Sequence, residues 1–397
     1  MSVRTNPADV SRELLVAWDD AHLWHPFTPH SVYRAEDPPM IVAAEGHELI
    51  DADGRRYLDG IGSIWCNLFG HRAPDLDAAL VDQLGRVAHA TLLTAANAPA
   101  VVLAKRLADA APPGLTRVFF SDNGSTAVEA ALKIALQYHQ QSGAPQRTQF
   151  LSINSAYHGD TVGAVSLGHI ALFHGRYKPL LFETLAAPSP YCYRCPLALE
   201  RPTCGVACAG ELERIAREHA PTLAAIVLEP GFQGAAGVLP LPESYLRRAR
   251  AIADETGALL ILDEVASGFG RTGALLACNH EDVSPDLLCL AKGLTGGYLP
   301  LAATLATDAI FQAFLGQPSD YRTFFHGHTF TGNPLGAAVA LAVLDRFEDP
   351  SLLERVAEAG AVLARELDRL RALPWLGDIR QIGLAVGIEF VADPSTK

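Results

Sequence analysis

The chain has 397 residues, enough to bury one large core or two moderate ones. Hydrophobic residues make up 49% and charged residues 19%, the balance of a soluble globular enzyme rather than a disordered or fibrous chain. Asp and Glu outnumber Lys and Arg by 44 to 31, and the resulting charge of −13 argues against nucleic acid or an anionic membrane surface as a partner.

The start, MSVRTNPADVSRELL, lacks an apolar core followed by a small-residue cleavage site, so no secretory signal is expected. Seven cysteines without such a signal fit free thiols in a reducing cytoplasm. No apolar run approaches the roughly 20 residues needed to span a bilayer. Short strands are predicted at 40–44, 47–51 and 56–59, in a turn-rich opening. Continuous apolar runs follow at 118–120, 150–153, 224–228, 258–262 and 287–291, as expected for strands buried on both faces of a parallel sheet. Between the first two, Val128, Ala131, Leu132, Ala135 and Leu136 share one face of a helix over 125–140, with Glu129 and Lys133 spaced as an i,i+4 pair. After Pro334, helices at 335–347 and 352–370 lead to one alternating stretch, 379–391. The alternation of strand and helix predicts an α/β fold with a doubly wound, mostly parallel sheet. The expected organisation is a large domain at 69–334 and a smaller α+β domain built from 1–68 and 335–397.

In such sheets ligands bind beyond the carboxyl ends of the strands. Here each apolar run opens onto a polar residue: Glu229 after 224–228, Asp263 after 258–262, and Lys292 after 287–291. Gly124 and Ser125 start a helix, where free N–H groups and the positive dipole end favour an anion such as a phosphate; an ordinary N-cap with a turn glycine is the alternative. Asp263 beside a dry core needs a partner, for which a protonated pyridine nitrogen or the next turn would serve. Lys292 at a buried strand end suits a lysine whose lowered pKa permits Schiff-base chemistry and proton transfer, against a snorkelling surface lysine. Tyr157, just past 150–153, can stack on a planar ring or pack as a core tyrosine.

The runs LLILDEVASGFGRTG and CLAKGLTGGYLP, with Lys292 following Asp263 at a distance of 29 positions, resemble the class III (fold type I) pyridoxal-phosphate (PLP) aminotransferases. The likeness extends over nearly the whole chain. Within the class, HLWHPFT, SDNGSTAVEAALKIALQY, AYHGDTVGAVSLG and FFHGHTFTGNPLG are most similar to the group that converts 8-amino-7-oxononanoate to the diamine in biotin synthesis. The resemblance implies PLP as cofactor, with Gly124 and Ser125 on its phosphate, Tyr157 over the ring, Asp263 on the pyridinium and Lys292 as the catalytic lysine. It further implies a homodimer in which His328 and Thr329 reach the other subunit's phosphate, with Gly327, Phe27, Trp65 and Tyr157 near substrate. S-adenosylmethionine is the expected amino donor. Phe27, where many members using that donor carry tyrosine, leaves lysine as the alternative. Relatives are expected to continue past Lys397 with an arginine that binds the substrate carboxylate, so an incomplete small domain and an inactive remnant are entertained. A related ω-amino-acid aminotransferase is the other reading; a dinucleotide-binding domain is disfavoured by the lack of G-x-G-x-x-G after the first strand of a βαβ unit.

Cys192, Cys195, Cys204 and Cys208 are spaced C-x2-C-x8-C-x3-C, tolerable for zinc but unlike a standard finger, and free thiols are the favoured reading. Cys66, Cys278 and Cys289 are expected to be packing residues.

Overall fold

The computed structural model describes residues 10–397, so most of the opening MSVRTNPADVSRELL, on which no secretory signal was expected, lies outside the described residues. Two compact units divide the chain between Ala78 and Ala79, with everything from residue 335 onward in the second.

In the first unit, β1 (Ile41–Glu45), β2 (Glu48–Asp51) and β3 (Arg56–Leu58) form an antiparallel meander, close to the predicted short strands. Its anchor is Asp51, which is buried and accepts bonds from the N–H groups of Asp53 and Arg55, from Arg55 Nε and from Tyr57 Oη. Burial alone would raise its pKa, but the bonds from Tyr57 and Arg55 hold it at about 2.

The second unit is built on a seven-stranded sheet. Its strands are β4 (Leu115–Ser121), β5 (Gln149–Ile153), β6 (Leu185–Ala187), β7 (Leu223–Leu228), β10 (Leu259–Asp263), β11 (Leu287–Leu290) and β12 (Ala302–Thr307), while β8 (Phe232–Gln233) and β9 (Leu239–Pro240) form a separate small ribbon. The order is β4-β12-β11-β10-β7-β5-β6. Pairings across β11-β10-β7-β5-β6 are parallel, and β12 runs antiparallel to both neighbours. The short link from β11, containing only the turn Lys292–Thr295, explains that reversal, since a parallel return needs a longer crossover. The mostly parallel α/β architecture expected from the sequence is therefore present. Every residue of β7 and β10 is buried, which is why both read as unbroken apolar runs.

The helix Gly124–Gln141 packs Val128, Ala131, Leu132 and Ala135 against the sheet as its spacing predicts. The expected surface pair on it does not form. Glu129 instead accepts from the N–H groups of Gly163 (2.6 Å) and Ala164 (3.2 Å), at the start of helix Val162–Leu167, and Lys133 Nζ lies 3.0 Å from His326 Nδ1. Unpaired N–H groups at a helix start outcompete a solvated ammonium for the carboxylate.

Two sequence expectations change. The stretch 379–391 is not one strand but most of a hairpin, β13 (Leu376–Ile382) and β14 (Ala385–Phe390), turning around Gly383. Strands β6 and β12 were not anticipated: LAA is too short to show a period, and AATLAT is half alanine, a residue depleted in strands.

Candidate active site

The carboxyl ends of β5, β7, β10 and β11 and the loop after β4 carry Tyr157, Glu229, Asp263, Lys292, Gly124 and Ser125. The turn after β4 is closed by a capping box. Asn123 Oδ1 accepts from Thr126 N (3.1 Å) and Thr126 Oγ1 accepts from Asn123 N (3.1 Å), leaving the Gly124 and Ser125 N–H groups outside the cap at the dipole's positive end. Gly124 lies so close to the strand-end loop beyond β10 that a Cβ would stand 2.6 Å from Val265 Cγ1. Gly159, at φ +120°, lies directly on Ser125, whose Oγ would stand 2.0 Å from a Cβ and accepts from the Asp160 N–H at 3.2 Å. Only glycine permits this approach. Thus the Gly124–Ser125 turn, the Tyr157–Gly159 loop and the end of β10 form one closely fitted surface.

Asp263 is 5% exposed and the last residue of β10. Its Oδ1 accepts from the Val265 N–H (3.1 Å), and its Oδ2 lies 2.7 Å from Nδ1 of His158, which is itself buried. Burial pulls the His158 pKa down, but the bond to Asp263 and the nearby Glu229 charge prevail and leave it raised. Tyr157 Oη donates to Asp160 Oδ2 (2.7 Å), and its ring stacks at 14° on His174. Burial pushes the Tyr157 phenol upward, so it stays a neutral donor at physiological pH. Glu229, at the end of β7, accepts from the Tyr157 and Gly234 N–H groups.

Lys292 opens the turn after β11, half-buried, with φ +46°. A non-glycine residue in that region stores roughly 1–3 kcal/mol of strain, which persists only where surroundings impose it. Asp263 pairs in register with Cys289, three residues before Lys292, so the carboxylate and the lysine end neighbouring strands.

His328 Nδ1 lies 2.8 Å from Asp122 Oδ2 without an aligned hydrogen bond, beside the Gly124 turn of its own chain. Thr329 and Gly327 are exposed. Phe27 and Trp65 belong to the first unit, both at positive φ; Trp65 closes a left-handed turn with Gly62, Ser63 and Ile64. The four clustered cysteines line one cavity of about 20 Å³, all as free thiols, and no group of three or more His, Cys, Asp or Glu among the described residues could hold a metal ion. Cys278 and Cys289 are buried, while Cys66 is only half-buried, its Sγ donating to Ser63 O. Sequence reasoning gave no role to His158, although it sits inside a quoted motif. A histidine after a buried strand carries no mark of its partner, which is contributed by a strand far along the chain.

A buried carboxylate paired with an imidazole and a lysine at positive φ thus end neighbouring strands, and a glycine-tight helix start packs against the loop beyond the first. Residues 32–397 match the aminotransferase class-III family, and the chain belongs to it. Adenosylmethionine-8-amino-7-oxononanoate aminotransferase of Nitratidesulfovibrio vulgaris is 54% identical over 396 residues, 99% of this chain and 73% of the relative. The crystal structure of the enzyme of that name from Methanocaldococcus jannaschii superposes with a TM-score of 0.92 at 43% identity, over 97% of this chain and 86% of the other. A thermostable (S)-enantioselective ω-transaminase from Thermomicrobium roseum does so at 0.91 and 38%, over 100% and 87%. The class is PLP-dependent, and this chain is accordingly a PLP-dependent transaminase. The residues fit that cofactor: the two spare N–H groups suit a phosphate, and the Asp263 carboxylate, held by His158, suits a pyridinium. Among the described residues no helix is long and apolar enough to cross a membrane.

Proposed function

We propose that this transaminase converts 8-amino-7-oxononanoate to 7,8-diaminononanoate in biotin synthesis, in the cytoplasm, with S-adenosylmethionine as amino donor. What supports the substrate is the run of relatives carrying that activity in their names at 44–54% identity. What supports the chemistry is the single surface that joins Gly124, Ser125, Tyr157 and Asp263.

Gly124 and Ser125 would bind the phosphate, and Tyr157 would cover the ring. Asp263 would face the protonated pyridine nitrogen, and His158 orients its carboxylate. PLP supplies an electron sink for the pair released when a C–H bond next to the amine breaks. Lys292 Nζ would hold the cofactor; once the incoming amine has displaced it, its free amine would take that proton and return it to the neighbouring carbon. We assign His328 and Thr329 to the phosphate of a partner subunit in a homodimer, and Gly327, Phe27 and Trp65 to substrate recognition, on resemblance.

Purified protein mixed with PLP should develop visible absorbance, which borohydride should abolish while leaving the label on Lys292. In an unreduced sample S-adenosylmethionine should bleach it, and 8-amino-7-oxononanoate should restore it. Bleaching by lysine or γ-aminobutyrate instead would replace the donor, and restoration only by another oxo acid would replace the substrate.

A further inference from the structure

We propose that Glu229 is a positioning residue of the cofactor site, its carboxylate clamping the Tyr157–His158 loop to the end of β7. The proposal rests on the PLP reading above. Glu229 is 6% exposed. Its Oε1 accepts from the Tyr157 N–H (3.1 Å) and its Oε2 from the Gly234 N–H (2.8 Å), so one carboxylate spans two loops. The second loop is held in turn by Gln233, fully buried, whose Nε2 donates to Asn154 O (2.9 Å) and whose Oε1 accepts from Ser189 Oγ (2.6 Å). Asn154 precedes the Tyr157 turn, and its N–H donates to Ala187 O at the end of β6. The loop that carries Tyr157 and His158 is therefore fixed from both sides by side chains of the β7–β8 segment, and through His158 this clamp reaches the carboxylate of Asp263.

The charge on Glu229 is not there for stability. Burial raises its pKa to about 7; His158 and the two N–H bonds oppose that rise, and Asp263 adds to it. These are the charged and polar groups facing it. A carboxyl whose folded value lies above its unfolded one stabilises the fold most when neutral, below the unfolded value, and loses that advantage as pH rises towards 7. Above that pH the chain carries a buried anion at a thermodynamic disadvantage, next to the residues that hold the cofactor. Groups placed so tend to serve the site. The ionised form accepts strongly from both N–H groups at once, whereas protonation leaves one oxygen a poorer acceptor.

The experiment compares wild type with Glu229→Gln. The amide accepts one of the two N–H bonds and opposes the other with its own N–H. Expected is about a tenfold rise in the PLP dissociation constant at alkaline pH, the effect of one buried unsatisfied donor. The ratio of mutant to wild-type constants should shrink towards one as pH falls well below 7, because wild type then loses the same acceptor; other titrating groups cancel in the ratio. The apoprotein melting temperature should change little at alkaline pH, since loss of a buried charge offsets the unsatisfied N–H. A ratio near one at every pH, a pH-independent ratio, or affinity and melting temperature falling together would overturn the proposal. If Glu229→Gln does not fold, Glu229→Asp, which keeps the charge but shortens the reach, should still raise the PLP constant; wild-type affinity in that variant overturns it. A wild-type chain that takes up no PLP defeats both readings, whereas one that takes up PLP yet bleaches with no donor defeats only the functional one.

Discussion

Replacing Gly159 by alanine tests whether the close approach of two loops builds the anion turn. The residue sits at φ +120°, and a Cβ there would meet Ser125 Oγ and stand 2.8 Å from Ser125 Cα. The hydroxyl can rotate away; the backbone carbon cannot. The left-handed conformation alone disfavours an L residue by about 1–2 kcal/mol, and forced overlap in a packed region adds about 1–3 kcal/mol, so the loss should reach about 2–5 kcal/mol. Gly114 is the control, at φ +98° with nothing within 4 Å of its notional Cβ. Alanine there should cost only the conformational part, about 1–2 kcal/mol. Urea midpoints of the two apoproteins, at equal slope, measure the difference. Gly159→Ala should also release PLP more readily than Gly114→Ala, because it displaces Ser125. If the two variants match within about 0.5 kcal/mol in stability and in PLP retention, the packed turn is not what shapes the site.

His158→Ala should destabilise the holo form by about 1–3 kcal/mol, because it leaves Asp263 Oδ2 buried without its partner. The His158 pKa is raised, so its contribution should be complete below the ordinary imidazole range and fade as pH rises through the raised value; a stability gap between wild type and variant that widens at alkaline pH would contradict this. In the first unit, NMR titration of Asp51 should give a midpoint at about 2, and Tyr57→Phe should move it towards the usual carboxylate range. The stabilisation from that depressed value should be present above the unfolded pKa and vanish as pH falls through about 2. Among the thiols, exposed Cys192 should react first with a disulfide reagent, while buried Cys278 and Cys289, whose thiols burial pushes upward, should react only on unfolding.

The strands that matter most were legible because β7 and β10 are buried on both faces and so spell continuous apolar runs, each ending in the polar residue that faces the site. Helix 124–141 was legible for the same reason, one apolar face at helical period. Strand β12 was not, since its direction depends on the shortness of a connection and its alanines pack against neighbours unknown to the local sequence. Nor was the fate of Glu129, where spacing pointed to Lys133 but a helix start from a later segment supplied better donors. The residues proposed for a phosphate, a pyridinium and an aldehyde, Gly124 and Ser125, Asp263 and Lys292, were set down by the chain itself at three strand ends. That Glu229 holds Tyr157, that His158 holds Asp263, and that Gly159 rests on Ser125 was decided only by folding, because each contact joins segments whose separation along the chain leaves no local trace.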